Sequence, residues 1–360
     1  MERSRLYKFI PTWSQSFAGF LMVLLLSCIE QLDIITEEER NLLVVEGHIT
    51  TGEGPHTILL SKSAKYGDVF QGVVRKEENA IVRIRNESGE QVFLEEFIGG
   101  RYQTPAGFEA EVGSTYTLLI TTRDGNEYIS QPETIIQAPK IDSLILRYRV
   151  IPGDVPGNFR SGVEVFSQWT DPEGDKNFYL WRNTGTYLIN TRPDLFTIPD
   201  GNGGSIAAPK DCCAICWVTE EDGDNSVRLF SDRRSNGGVN TEQVAFIEDD
   251  GGRFMDKYLV RIEQQSISGE AFQFFELLQN QLSIDGDIFD PPPATIRGNM
   301  INLTDPQSPV IGYFRASDVA VDSVFIPGSL LLDTQLPRQV NNDCRVLPGS
   351  TSEPPSYWFD

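Results

Sequence analysis

A chain of 360 residues is longer than a single core usually supports, since cores stop growing near roughly 250 residues, so two folded units are expected. With 39% hydrophobic and 23% charged residues it can bury a proper core, which excludes general disorder. A formal net charge of −22 without a compensating basic stripe excludes binding driven by nucleic-acid phosphates or by an anionic lipid surface.

At the N-terminus Arg3, Arg5 and Lys8 precede an apolar run from Phe17 to Leu26 that ends at Ser27-Cys28. About ten apolar residues are too few to span a bilayer, which takes about 20. Leu25-Leu26-Ser27-Cys28 resembles a lipobox. Residues 1–27 are therefore read as a signal peptide, and Cys28 as the acylated first residue of a chain anchored in the outer membrane. An ordinary cleaved signal would leave Cys28 without a purpose. Cleavage leaves a net charge of about −24, so what holds the protein at a membrane must be covalent, and two acyl chains suffice. Residues 28–40, with Thr36-Glu37-Glu38-Glu39, are polar, acidic and aperiodic, and read as a solvated tether.

From 41 to 138 the chain is a series of short β-branched or alternating runs. Leu43 to Ile49, His56 to Leu60, Ile81 to Arg85 and Tyr116 to Ile120 are separated by turns such as Glu87-Ser88-Gly89-Glu90 and Arg123-Asp124-Gly125-Asn126. An Ig-like β-sandwich is expected. His48 falls on the strand face of Val44 and Glu46, opposite Val45 and Ile49, as a partly exposed structural histidine.

Pro139 marks a boundary, because proline cannot feed a central strand. A second, larger β-sandwich-like domain is expected over 139–345, with strands that include Leu144 to Tyr148, Val163 to Trp169, Phe178 to Trp181, Tyr258 to Ile262 and Val310 to Phe314. Its long loops at 192–210 and 231–241 are candidate recognition segments. Phe272, Phe275 and Leu282, after Ser268 as N-cap, predict one short helix near 269–282, packed on the second sandwich. Residues 346–360 form a C-terminal tail. The predicted fold class is thus mainly β.

Once Cys28 is set aside, Cys212, Cys213, Cys216 and Cys344 remain and admit three pairings. Cys344 is expected to pair with one of the other three, Cys216 first, leaving the remaining two as vicinal partners or free thiols. The rival for Cys213-Ala-Ile-Cys216 is a zinc site, but neither histidine is close in sequence and a second Cys pair is missing. Acid-rich turns offer oxygen ligands at alternating positions, and Asp171, Glu173 and Asp175 are candidate calcium ligands. Glu220 to Asn225 and Asp285-Gly286-Asp287 are of the same kind. Turn formation explains the same letters without a metal. Trp169, Trp181 and Trp217 are either a sugar-stacking platform or, as their apolar strands favour, core. Ser143 and Ser323, in Asp-Ser-aliphatic strings, are candidate O-glycosylation sites. With His48 and His56 as the only histidines and no nucleophile elbow, no catalytic residue or cofactor is assigned.

Several strings together resemble a family of Bacteroidota outer-membrane lipoproteins, domain of unknown function four-two-four-nine. They are Leu43-Val44-Val45-Glu46-Gly47 with Ile49-Thr50, Asp171-Pro172-Glu173-Gly174-Asp175 leading to Tyr179-Leu180-Trp181, Cys216-Trp217, Pro292-Pro293-Ala294 with Gly298-Asn299, Gly312-Tyr313-Phe314 and Pro355-Ser356-Tyr357-Trp358. Family members tend to carry two cysteines near the C-terminus, whereas this chain has only Cys344 there and adds Cys212 and Cys213. The resemblance implies a surface lipoprotein encoded beside, and working with, a SusC-type TonB-dependent receptor in nutrient uptake, and it carries over no catalytic residue. The acidic residues behind Cys28 look like the export signal of such lipoproteins, which implies that the protein faces the cell exterior. The alternative is a structural or adhesive surface lipoprotein whose sandwiches contact other proteins. The ligand is not legible in either case.

Overall fold

Alternate residues of the first strand, β1 (Leu43–Thr50), are buried: Leu43, Val45, Gly47 and Ile49 point into a core while Glu46 is exposed. The computed structural model describes residues 41–63, 74–153, 155, 157–221, 227–282, 296–332, 335–336 and 339–359. Residues 1–40, with the expected signal peptide, Cys28 and the expected acidic tether, lie outside the described residues.

After β1 come β2 (Thr57–Lys62), β3 (Arg75–Lys76), β4 (Ile81–Asn86), β5 (Gln91–Ile98), β6 (Arg101–Gln103), β7 (Thr115–Thr121), β8 (Glu127–Ser130) and β9 (Glu133–Thr134). β5 joins two layers, since its first half pairs with β4 and its second half with β6 across a register shift between Glu96 and Ile98. Val45, Ile58 and Leu60 from one layer and Val82, Ile84, Leu118 and Ile120 from the other share one buried core.

A second series follows: β10 (Ile141–Pro152), β11 (Phe159–Thr170), β12 (Phe178–Asn190), β13 (Thr197–Pro199), β14 (Ser205–Ala207), β15 (Ile215–Glu221), β16 (Arg228–Ser231), β17 (Val239–Glu248) and β18 (Lys257–Ser266). Helix α1 (Gly269–Leu282) comes next, then β19 (Met300–Asn302), β20 (Ile311–Ser317), β21 (Val319–Pro327) and β22 (Ser350–Thr351). A three-stranded sheet, β10-β11-β17, packs on a sheet ordered β21-β18-β12-β15-β22, with β16 added to β12. Trp169 and Trp181 are fully buried between them, with ring centroids 5.1 Å apart, and Phe230 lies 5.0 Å from Trp169. The fold is mainly β, as the alternating strands predict.

The first sandwich does not close within 41–138. β19 extends it beside β8, and β20 lies parallel to β1, so Met300, Val310, Phe314 and Ala316 belong to the first core. A parallel neighbour cannot be reached by a tight turn. Here the crossover between β1 and β20 carries most of the second sandwich: the chain leaves the first sandwich near Pro139, returns to it with β19 and β20, and goes back to the second with β21 and β22. Asn41–Asp360 forms one compact unit.

Asp318, between β20 and β21, ties the junction. Its side chain accepts from the Thr51 hydroxyl and from the Ala138 amide at 2.7 Å, and its carbonyl accepts from the Ser266 amide at 3.1 Å. α1 starts as its cap predicts, with the Ala271 amide donating to Ser268 Oγ at 3.1 Å. It buries Ala271 and Phe272 in a cluster with Leu180 of the second sandwich and Tyr313 of β20, so it bridges both sandwiches rather than covering the second alone. Leu277 and Leu282 are exposed. Among the described residues no helix is long and apolar enough to cross a membrane.

Two further expectations need correction. Residues 192–210 are not one open loop, because a 3-10 turn at Pro193–Leu195 leads into the β13-β14 hairpin. Residues 346–359 are not a loose tail. β22 pairs with β15, and Trp358 is buried beside Lys257, whose ammonium lies 3.7 Å from the Phe325 ring centroid and donates to the Trp358 carbonyl at 3.2 Å.

Candidate functional site

Residues from both sheets of the second sandwich line a cleft of about 590 Å³. Its walls come from β10, β11 and β17 on one side and from β12, β15, β16 and β18 on the other. Three arginines (Arg160, Arg228, Arg253) and three glutamates (Glu164, Glu220, Glu248) face it, with Asn183, Gln243 and Tyr258. Along β11, Val163 and Val165 turn into the core, whereas Arg160 and Glu164 lie on the opposite face of the strand.

Arg253, in the turn before β18, grips Glu220 with Nε at 2.6 Å and Nη2 at 3.2 Å, and its Nη1 donates to the Glu248 carbonyl at 3.1 Å. Burial opposes the charge of Arg253, but the Glu220 carboxylate outweighs it and holds the guanidinium above its ordinary range. The Tyr258 hydroxyl donates to the same carboxylate at 2.9 Å. Burial first, and then Glu220, push that phenol well above its ordinary value, so it stays a donor. Gly185 on β12, paired with Val260, leaves room for the Tyr258 ring, since a Cβ there would occupy the place of the Tyr258 hydroxyl.

Across the cleft Arg160 Nη1 meets Glu248 at 3.3 Å, while its Nε is buried without an acceptor. The groups are therefore fixed by one another on the Arg253 side and incompletely satisfied on the Arg160 side. Such an arrangement can bind a small polar ligand through charge-assisted hydrogen bonds.

A second polar cluster lies where α1 meets the first sandwich. Glu133 is buried and accepts from Tyr313, from Ser268 at 2.9 Å and from Asn299 at 3.2 Å. Burial raises its carboxyl above the usual range despite these donors. On the adjoining strand Arg315 is buried, donates to Gln265 at 2.8 Å, and faces the Phe275 ring. Burial, then Arg182, draw its guanidinium down to about 9. His48 sits opposite Arg315 in the β1-β20 ladder. Part of the residue is exposed, but protein surrounds the ring, and burial followed by Arg315 and Arg182 keeps it neutral, well below its ordinary value. His56 is buried edge-on to Phe108 with centroids 5.9 Å apart, and burial lowers its value too. Neither histidine faces the cleft.

Cys216 is joined to Cys344 with Cα atoms 5.8 Å apart, and Cys212 to Cys213. The Cys344 amide also donates to the Cys213 carbonyl at 3.0 Å. These four cysteines are thus engaged with one another, which leaves no thiolates for the zinc alternative. Asp171, Glu173 and Asp175 do not converge as a cation loop: Asp171 is buried while Glu173 and Asp175 are exposed. Glu220 is committed to Arg253, Glu221 is exposed at the end of β15, and the positions from Asp222 to Asn225 and from Asp285 to Asp287 lie outside the described residues. Trp169 and Trp181 are core, and Trp217 is half-buried, so they make no open platform. Ser323 is exposed on β21, whereas Ser143 is half-buried with its hydroxyl on Gln168 at 3.2 Å.

Reading the sequence alone missed Arg160, Glu164, Glu248 and Arg253. Their strands are not neighbours in sequence, and no spacing marks them. A family model described as Domain of unknown function (DUF4249) matches residues 29–323. No curated protein matches the chain.

Proposed function

The chain belongs to the family described as Domain of unknown function (DUF4249), and we propose that it is an outer-membrane lipoprotein facing the cell exterior. In this reading acyl chains on Cys28 anchor it, and it serves as a non-catalytic ligand-binding partner of a SusC-type TonB-dependent nutrient transporter. The cleft carries the binding part of the proposal: ionic groups of both signs line a concavity of ligand size, and Arg160 keeps a buried donor to spare. The lipobox ending at Cys28 supports the anchor, and the family resemblance supports the transporter. The test is uptake by cells carrying Arg160→Ala with Glu164→Ala. Surface display should persist while growth on the cognate nutrient falls; undiminished growth would remove the cleft from the function.

One observation favours a second reading, in which the protein is a structural or adhesive surface lipoprotein. Phe93, Phe97 and Ile98 are exposed along β5, an apolar strip suited to protein contacts. Loss of cell-to-surface adhesion in Phe93→Ser with Phe97→Ser, with nutrient uptake unchanged, would favour that reading.

A further inference from the structure

Two turns of the second sandwich meet at the end of β11 remote from Arg160. Residues 171–177 join β11 to β12, and 232–238 join β16 to β17. The Asp171 amide donates to the Gly238 carbonyl at 2.9 Å, and the Asp232 amide to the Asn177 carbonyl at 3.2 Å. Asn236 Nδ2 reaches the carbonyls of Gly174 at 3.0 Å and Asp175 at 3.2 Å.

Two carboxylates are enclosed where these turns meet. Asp171 is 2% exposed, and its oxygens accept from the Tyr179 hydroxyl at 2.6 Å and the Gly237 amide at 3.2 Å. Asp232 is 0% exposed, and neither of its carboxylate oxygens has a hydrogen-bond donor. Burial comes first in raising the Tyr179 phenol, followed by Asp171 and then the charge of Asp232, so both carboxylates act on one hydroxyl. Arg233 and Arg234, next to Asp232 in the chain, are exposed.

A buried carboxylate without a hydrogen-bond donor is strongly unfavourable, and a second buried carboxylate acting on the same Tyr179 hydroxyl adds repulsion. A cation between them removes both costs. The available donors are carboxylate and carbonyl oxygens, without imidazole or thiolate, and such a set suits a hard cation of flexible coordination.

We propose that Asp171 and Asp232 hold a calcium ion that clamps the 171–177 turn to the 232–238 turn. Among the described residues no three His, Cys, Asp or Glu side chains form a metal-binding group, so backbone carbonyls of the turns and water complete the shell. Tyr179 positions Asp171 from outside it. Glu173 and Asp175 take no part.

The test uses the full mature chain, with terbium chloride as a luminescent probe and calcium chloride as competitor. Saturable terbium emission that calcium displaces is expected, together with a melting temperature several degrees higher in millimolar calcium than in EDTA. Asp232→Asn should abolish both responses and Glu173→Gln should leave both intact. If Asp232→Asn does not fold, Asp171→Asn is read in the same way. Absence of saturable emission and of a calcium-dependent melting shift in the wild type overturns the proposal, as does an undiminished response in the aspartate variants.

Discussion

Gly312 lies directly against the backbone of Val45 in the parallel β1-β20 pair, with a φ of 93°, and a Cβ on it would overlap the Val45 carbonyl. The residue that lets β20 lie against β1 therefore has to be glycine. Gly312→Ala should destabilise the protein by about 2 kcal/mol or more, from backbone strain together with displacement of β20. Denaturant unfolding of the mature chain measures this, and an unchanged midpoint would contradict the placement of β20.

Some of this architecture was legible in the sequence and some was not, for reasons of range. Helix α1 was legible because its signals are local: Ser268 caps it and Phe272 lies four residues further on, one turn into the helix. The face of His48 was legible because strand parity is a two-residue rule. The β1-β20 pairing was not, because no pattern near Leu43 announces a partner at Ile311. The cleft was hidden likewise, since the pairing of Glu220 with Arg253 depends on how β15 and the turn before β18 are brought together. Asp171 stood out in the sequence as a candidate calcium ligand in an acid-rich turn, but nothing near it in the chain points to Asp232, since the 171–177 and 232–238 turns meet only in the fold.

The bridge between Cys216 and Cys344 spans a sequence separation of 128 and fastens the C-terminal segment to β15. Cys344→Ser should cost about 2–5 kcal/mol, because the unfolded chain regains the entropy of a long loop. Thermal unfolding and non-reducing peptide mapping check this together. A free Cys344 thiol in protein isolated from its own cells would contradict the pairing.

Acidification should weaken the fold through its histidines. Burial lowers the values of both His48 and His56 in the folded state, so below about pH 6.5 the unfolded chain takes up protons that the native state refuses. The stability they contribute is present above about pH 6.5 and is lost as pH falls through the lowered folded values. Chemical denaturation between neutral pH and mild acid should show this loss, and His48→Asn should flatten it. Glu133 acts with the opposite sign: burial raises its carboxyl, so its contribution is greatest in acid and declines as pH rises through the raised value. Glu133→Gln should accordingly remove the decline that sets in as pH rises above the unfolded carboxyl value of about 4.5.

Anchoring depends on Cys28 in this account. Cys28→Ser should give an unacylated protein that leaves the membrane fraction, as the strongly negative mature chain has no electrostatic hold on anionic lipid. Fractionation at high salt is the measurement, and a variant that still sediments with the outer membrane would exclude the lipid anchor.

The most direct test of the account is detergent extraction of the full-length protein from the membranes of the cells that make it, with identification of whatever co-elutes in near-equal amount. A TonB-dependent β-barrel is the predicted companion, retained by the wild-type chain and by the Cys344→Ser variant if it folds. Elution of the displayed, acylated protein without any barrel would contradict the transporter partnership and leave the adhesive reading in its place.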